Sequence, residues 1–171
     1  VILSKGSIHY LTKEEITNNH EYLSEKLNKK KEYLSLILGG PNKYYDYNEK
    51  NLIKIFDKIK SILESNNLQA IIIPSMRTPE KIIDFTQKYL GENNLVIKDV
   101  DKKAYLSSLS LAKYIVVTCD STSMISEAAL TGKPIYIAEI PAKSNDYRFR
   151  KFRDLFQKLK IIKNLNEKVE I

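Results

Sequence analysis

Short apolar runs of strand length alternate along this chain with longer stretches of helical periodicity. Residues 34–39, 69–74 and 114–119 are apolar at most positions and are typical of buried strands. Residues 49–65 instead place their apolar side chains at the spacing of one helical face. This alternation predicts an α/β fold, a parallel sheet with helices on both faces.

Start and stop signals define most of the other elements. Thr12 and Glu15 have the spacing of a capping box, which predicts a helix from Thr12 to about Lys26. Residues 1–10 are typical of a strand or an entering linker, and Gly132 is placed to end a helix. We predict further helices over 79–90, 105–112, 122–130 and 146–159, and further strands over 95–97 and 135–138.

The 171 residues suit one domain with a sizeable core. We expect residues 1–33 to form an interdomain linker and entering helix, and residues 34–171 to form a Rossmann-like domain. Because the chain begins Val-Ile-Leu rather than with methionine, we expect it to be a piece of a longer protein. No signal peptide is visible, and no apolar run approaches the roughly 18 residues of a membrane span.

The charge excess favours a solvated basic surface over a nucleic-acid footprint. The chain has 28 basic and 21 acidic residues, a net charge of +7, and its lysines are scattered. Arg148, Arg150 and Arg153 alternate with aromatic residues, but those aromatics have helical spacing. We therefore expect a core-facing aromatic stripe with a wet basic face, and no nucleic acid as partner.

Cysteine and histidine usage argues against a disulfide or a metal centre. Cys119 is the one cysteine, and we expect it to be a small buried residue in a cytoplasmic, reducing compartment. His9 and His20 lack metal-ligand spacing, so we expect no metal.

Three polar segments follow predicted strands and should lie on one edge of the sheet. Small residues at a helix N-terminus allow a phosphate to approach free N–H groups and a partial positive charge. The alternative for each segment is structural: a turn, a helix start with Thr78 as N-cap, or a solvated surface glutamate at position 127. The candidate phosphate ligands are Gly39, Gly40, Asn42, Ser75, Arg77, Thr78, Ser121, Thr122 and Ser123, and Glu127 is suited to sugar hydroxyls.

Residues 117–128, followed by Thr-Gly-Lys-Pro at 131–134, resemble the mitochondrial-fission family named for the plant elongated-mitochondria protein. The resemblance extends to residues 5–9, 39–42 and 75–79. It implies kinship with GT-B glycosyltransferases, which have two Rossmann-like domains. The chain would be the C-terminal, donor-binding half, and the N-terminal half would be absent from it.

The spacing of Glu127, Gly132 and Pro134 is also similar to that in the UDP-GlcNAc transferase of peptidoglycan synthesis. That similarity implies that Glu127 binds the donor ribose and that residues 121–123 face the diphosphate. Arg77 is our candidate for stabilising the departing diphosphate, and residues 98–105 would lie near the base. Relatives often carry Arg-x-Gly where this chain has residues 120–122, and Asn-Pro-Tyr where it has 103–105. The catalytic base would lie in the N-terminal half, so no catalytic residue is assigned.

We therefore expect the donor-binding domain of a metal-independent glycosyltransferase, with a nucleotide-sugar as donor substrate and no separate cofactor. Its partners would be that ligand and the missing N-terminal domain, and a peripheral membrane contact of the full-length protein is left open. The alternatives are a non-catalytic recruitment scaffold of the same family and a GT-B nucleotide-sugar epimerase. A nucleic-acid-binding role ranks last.

Overall fold

The computed structural model describes residues 4–166, which form a parallel sheet flanked by helices. The strands are β1 (Glu32–Leu38), β2 (Leu68–Pro74), β3 (Leu95–Val96), β4 (Tyr114–Thr118), β5 (Ile135–Ala138) and β6 (Ile162–Asn164). The helices are α1 (Lys13–Asn18), α2 (Glu49–Ser65), α3 (Glu80–Leu90), α4 (Lys102–Leu111), α5 (Thr122–Ala129) and α6 (Tyr147–Lys158). The six strands lie in the order β3-β2-β1-β4-β5-β6, and every pair is parallel.

Core packing on both faces explains why the central strands are apolar throughout. Successive side chains of β2 point to opposite faces, so Ile72 joins the main core while Ile71 and Ile73 join a smaller cluster. Helix α2 buries Phe56 and its apolar neighbours in the main core, and each such side chain contributes about 2 kcal/mol. The Rossmann-like architecture predicted from the strand–helix alternation is confirmed.

The entering segment differs from its prediction. The capping box of Thr12 and Glu15 is present, but α1 ends at Asn18, and two short 3-10 turns follow it. The amide Nδ2 of Asn19 donates to the carbonyl of Glu15 at 2.8 Å, and the turns bury Leu23 against the sheet. A continuous helix to Lys26 was therefore wrong, because local capping and burial of the following residues end it early.

Three smaller differences concern strands. Residues 4–10 form no strand, while residues 1–3 lie outside the described residues. Strand β1 begins at Glu32, two positions before its predicted start. Strand β6 was not predicted, because its three residues include two exposed polar ones and lack a strand pattern.

The strand order creates a switch point at the carboxyl edge of the sheet. From β1 the chain moves outward to β2 and β3, then returns to β4 on the other side of β1. This reversal between β1 and β4 is a topological switch point, where open parallel sheets bind their ligands. The loops after β1, β2 and β4 and the first turn of α5, together called the rim from here on, contain all the candidate phosphate ligands.

Gly132 follows α5 and has a left-handed backbone conformation that favours glycine. Its φ is +68°, and a Cβ added there would meet nothing within 4 Å. We predict that Gly132→Ala lowers the free energy of unfolding by about 1 kcal/mol, because only the left-handed backbone resists the substitution. Gly132→Asn should cost less, because asparagine tolerates this conformation. Urea unfolding measures both, and an alanine variant as stable as the wild type would contradict the prediction.

Candidate functional site

One buried carboxylate joins the three loops of the rim. Asp120 follows β4, and its side chain is 0% exposed. Its Oδ2 accepts hydrogen bonds from Arg77 Nη2 at 2.7 Å and from the Gly40 N–H at 3.2 Å. The Tyr47 hydroxyl donates to Oδ1, and burial, followed by the charge of Asp120, raises the pKa of that tyrosine well above its ordinary value. Because β2, β1 and β4 are neighbours, Asp120 fixes three strand ends against one another.

The glycine pair is required by this packing. A Cβ on Gly39 would lie 2.0 Å from Asp120 Oδ2, and one on Gly40 would lie 2.0 Å from the carbonyl oxygen of Arg77. The Gly39 N–H donates to Thr118 Oγ1 at 2.8 Å, so both glycine N–H groups already have protein partners. The assignment of these glycines as phosphate ligands stays a prediction, while their packing role is observed.

Thr78 binds the end of β1 rather than capping a helix, and Ser75 bonds to Thr78. The Thr78 hydroxyl lies 2.6 Å from the carbonyl oxygen of Gly39 and accepts the Ser75 N–H at 2.8 Å. Pro79 occupies the N-cap of α3. The structural alternative that made Thr78 the N-cap was therefore wrong, because its hydroxyl is directed into the sheet edge.

Asn42 shapes the loop that follows β1. Its Oδ1 accepts the N–H groups of Tyr44 at 2.8 Å and Tyr45 at 3.0 Å, which makes a compact turn. The turn places Tyr45 and Tyr47 so that both hydroxyls point back into the protein, and both side chains are buried.

The N-terminus of α5 is the open part of the rim. Ser121 caps the helix, and its Oγ accepts the Met124 N–H at 3.3 Å. Among residues 4–166, the N–H groups of Thr122 and Ser123 have no hydrogen-bond partner. Ser123 is exposed, whereas the Thr122 hydroxyl accepts a bond from Ser7 Oγ at 2.9 Å. Free N–H groups and the helix dipole together favour an anion here.

Glu127 lies one turn beyond Ser123 on the same face of α5. It is half-buried, and its Oε2 accepts the Tyr105 hydroxyl of α4 at 2.6 Å. Burial, followed by the charge of Glu127, raises the pKa of Tyr105 well above its ordinary value, so this phenol stays a donor. Glu127 Oε1 has no partner within the part of the chain that the structure describes, which leaves one carboxylate oxygen for a ligand.

A second buried carboxylate holds α6 against the rim. Asp146 Oδ2 accepts the Tyr45 hydroxyl at 2.6 Å, and Arg153 Nη1 donates to that hydroxyl at 3.1 Å and to the Cys119 carbonyl at 3.0 Å. Arg153 is only 8% exposed, so the prediction of a wet basic face was wrong for this residue. Arg153 Nη2 also lies 3.6 Å from Asp146 Oδ2, and these three acceptors explain why the arginine is buried. The aromatic stripe on α6 is confirmed, with Phe156 buried and Phe149 and Phe152 packed against the core.

Two residues of the segments that carry the family resemblance, Cys119 and Lys133, have structural roles. Cys119 is buried as expected, and burial raises the pKa of its thiol to about 11. Lys133 Nζ donates to the carbonyl oxygens of Leu109 and Ser110 at 2.7 and 2.6 Å, and it thereby caps the end of α4. Burial lowers the pKa of this lysine.

Metal-binding clusters and membrane-spanning helices are both absent from residues 4–166. No group of three or more His, Cys, Asp or Glu residues is arranged to hold a metal ion in this part of the chain. Within the same range, no helix has both the length and the apolar character needed to cross a membrane.

We predict that Asp120→Asn lowers the free energy of unfolding by about 2–3 kcal/mol, because Arg77 and the Gly40 N–H lose a buried ionic acceptor. The matched control is Asp46→Asn, which breaks a 2.6 Å ion pair with Lys143. The Asp46 side chain is 57% exposed, so this pair lies at the surface. That change should cost under about 1 kcal/mol. Equal losses for the two variants in urea unfolding would contradict the central place of Asp120.

Two solved structures share this fold. The S. aureus MnaA–UDP co-structure matches with a TM-score of 0.56 and 14% identity, covering 92% of this chain and 37% of that one. The putative UDP-N-acetylglucosamine 2-epimerase from Listeria monocytogenes matches with a TM-score of 0.56 and 15% identity, covering 95% and 38%. At these identities the likeness shows the fold, which is the Rossmann-like fold of GT-B proteins.

Sequence comparisons identify the family. The uncharacterized protein RP120 of Rickettsia prowazekii is 32% identical over 143 residues, covering 81% of this chain and 40% of that protein. The mitochondrial fission protein ELM1 of Arabidopsis thaliana is 31% identical over 102 residues, covering 58% of this chain and 24% of that protein. This chain thus spans less than half of either relative. The family model for mitochondrial fission ELM1 matches residues 1–171, and the chain belongs to that family.

Proposed function

We propose that this chain binds the nucleoside diphosphate part of a nucleotide-sugar and acts as the donor-binding domain of a glycosyltransferase. One observation carries the proposal: α5 begins with two N–H groups that lack partners among the described residues, and Glu127 follows one turn later on the same face. Phosphate oxygens and ribose hydroxyls are separated along a nucleotide, and this helix offers a suitable group for each.

The phosphate part would lie at the start of α5. The Thr122 and Ser123 N–H groups and the exposed Ser123 hydroxyl can donate to it, and the helix dipole favours its charge. Arg77 uses two N–H donors on Asp120 and the Gly40 carbonyl, and its side chain is 39% exposed. A guanidinium has five N–H donors, so three are left for a phosphate.

These groups suit a metal-independent transfer. When the sugar leaves the diphosphate, negative charge grows on the phosphate oxygens, and fixed N–H donors with an arginine stabilise that charge. The base that activates an acceptor would come from another part of a longer protein. Met76 is 89% exposed on the loop after β2, and Tyr147 is 57% exposed at the start of α6, beside the rim. These two side chains would offer apolar contacts to such a domain.

The proposed site of action is the cytoplasm, where the thiol of Cys119 would stay reduced. A peripheral membrane contact of a longer protein is compatible with the basic charge of the chain but plays no part in the site.

The test is a calorimetric titration of this chain with UDP, GDP and ADP. We predict saturable binding of at least one, and about a tenfold loss of affinity in Glu127→Ala, because the ribose loses charge-assisted hydrogen bonds. The control is Glu64→Ala, which removes an exposed helical glutamate on α2 and should leave the affinity unchanged. No binding of any nucleotide, or equal losses in both variants, would contradict the proposal.

A second candidate is a non-catalytic scaffold of the same family. It is favoured by the hydrogen bonds that Gly40 and Arg77 donate to Asp120, because that carboxylate takes the place that a substrate phosphate would otherwise occupy. A scaffold predicts that the chain binds no nucleotide even when the rest of a longer protein is present.

A nucleotide-sugar epimerase is the competing enzyme, since one structure of like fold is a UDP complex and the other a putative 2-epimerase. It would bind the same nucleotide but convert the sugar without an acceptor, so product analysis separates it from a transferase.

A further inference from the structure

We propose that Tyr105 is a positioning residue that holds Glu127 in the orientation needed to bind the ribose hydroxyls. The inference rests on the proposed nucleotide-sugar function and adds to that site a residue from a different helix. Tyr105 lies near the start of α4, and its hydroxyl donates to Glu127 Oε2 at 2.6 Å across 22 positions of sequence.

The bond from Tyr105 gives the two carboxylate oxygens of Glu127 different roles. Oε2 is held by the phenol, while Oε1 has no partner among the described residues. A glutamate on a helix surface otherwise samples several rotamers, and binding would have to fix one of them at an entropic cost. With Oε2 held, Oε1 is already oriented for a ligand before that ligand arrives.

Tyr105 is itself fixed from two sides. Its ring packs against both apolar clusters, the main core and the smaller one that contains Ile71 and Ile73. Its carbonyl accepts the Ser108 hydroxyl at 2.8 Å, and Ser35 Oγ of β1 donates to Ser108 Oγ at 3.0 Å. The orientation of Glu127 is therefore connected through Tyr105 to the middle of the sheet.

Loss of the Tyr105 hydroxyl would have different effects on binding if its role were purely structural than if it positions Glu127. A structural bond would change stability, or would change the binding of all nucleotides alike. A positioning role acts on the ribose alone, so it should appear as lost discrimination between a ribonucleotide and its 2′-deoxy form.

The test titrates the chain with the nucleotide that it binds most tightly among UDP, GDP and ADP, and with the 2′-deoxy form of that nucleotide. We expect Tyr105→Phe to weaken ribonucleotide binding about five- to tenfold and deoxynucleotide binding less than about twofold. The matched control is Tyr89→Phe, which removes a phenol–carboxylate bond of the same 2.6 Å length, to Asp57, between α3 and α2. That control should change neither affinity.

A double-mutant cycle shows whether Tyr105 acts through Glu127. In a Glu127→Ala background, Tyr105→Phe should have no further effect on ribose discrimination. The positioning role alone would be overturned if Tyr105→Phe weakened the binding of both nucleotides equally. It would also be overturned if Tyr105→Phe still weakened ribonucleotide binding in the Glu127→Ala background. Failure of the wild-type chain to bind any of the three nucleotides would instead overturn the proposed function, and this inference with it.

Discussion

The arrangement of the rim depends on how one buried negative charge is compensated. A carboxylate removed from water is costly unless ionic and hydrogen-bonding partners surround it. Asp120 obtains an arginine from the β2 loop, a backbone N–H from the β1 loop and a tyrosine hydroxyl from the segment before α2. Each partner must reach the same two oxygens, so the loops have little freedom. The glycines follow from this constraint, because any side chain on Gly39 would occupy the space of the carboxylate.

The same constraint divides the rim into a closed part and an open part. On the β1 and β2 side, the polar groups are largely satisfied by one another, through Asp120 and the hydroxyl of Thr78. On the α5 side, the N–H groups of Thr122 and Ser123 remain without partners in residues 4–166. In the proposed site, an incoming anion would therefore meet free donors at α5, with Arg77 at the border between the two parts. A similar tyrosine–aspartate bond, from Tyr45 to Asp146, holds α6 beside this surface.

Local patterns made the fold predictable, whereas the contacts that complete the rim required the tertiary structure. Period and capping signals located the central strands and α2, because those signals act within a few residues of sequence. The end of α1 was missed because burial of Leu23 in the smaller cluster is not a local property. Arg77, residues 121–123 and Glu127 were identified as candidates because they follow predicted strands. Tyr47 was not found, because it lies 73 positions from Asp120 and carries no motif of its own. Tyr105 was expected near the base, in the segment that relatives often carry as Asn-Pro-Tyr, but its bond to Glu127, 22 positions away, is a tertiary contact that no local pattern predicts.

In the proposed site, a nucleoside diphosphate binds at the start of α5 while Asp120 keeps the glycine loop closed. The most direct measurement is the backbone amide NMR spectrum of the chain during titration with UDP, GDP or ADP. Binding at α5 should give large shifts for the Thr122 and Ser123 amides and little change for Gly40, whose N–H stays on Asp120. Large movement of the Gly40 amide with α5 unaffected, or no movement in either place, would contradict it.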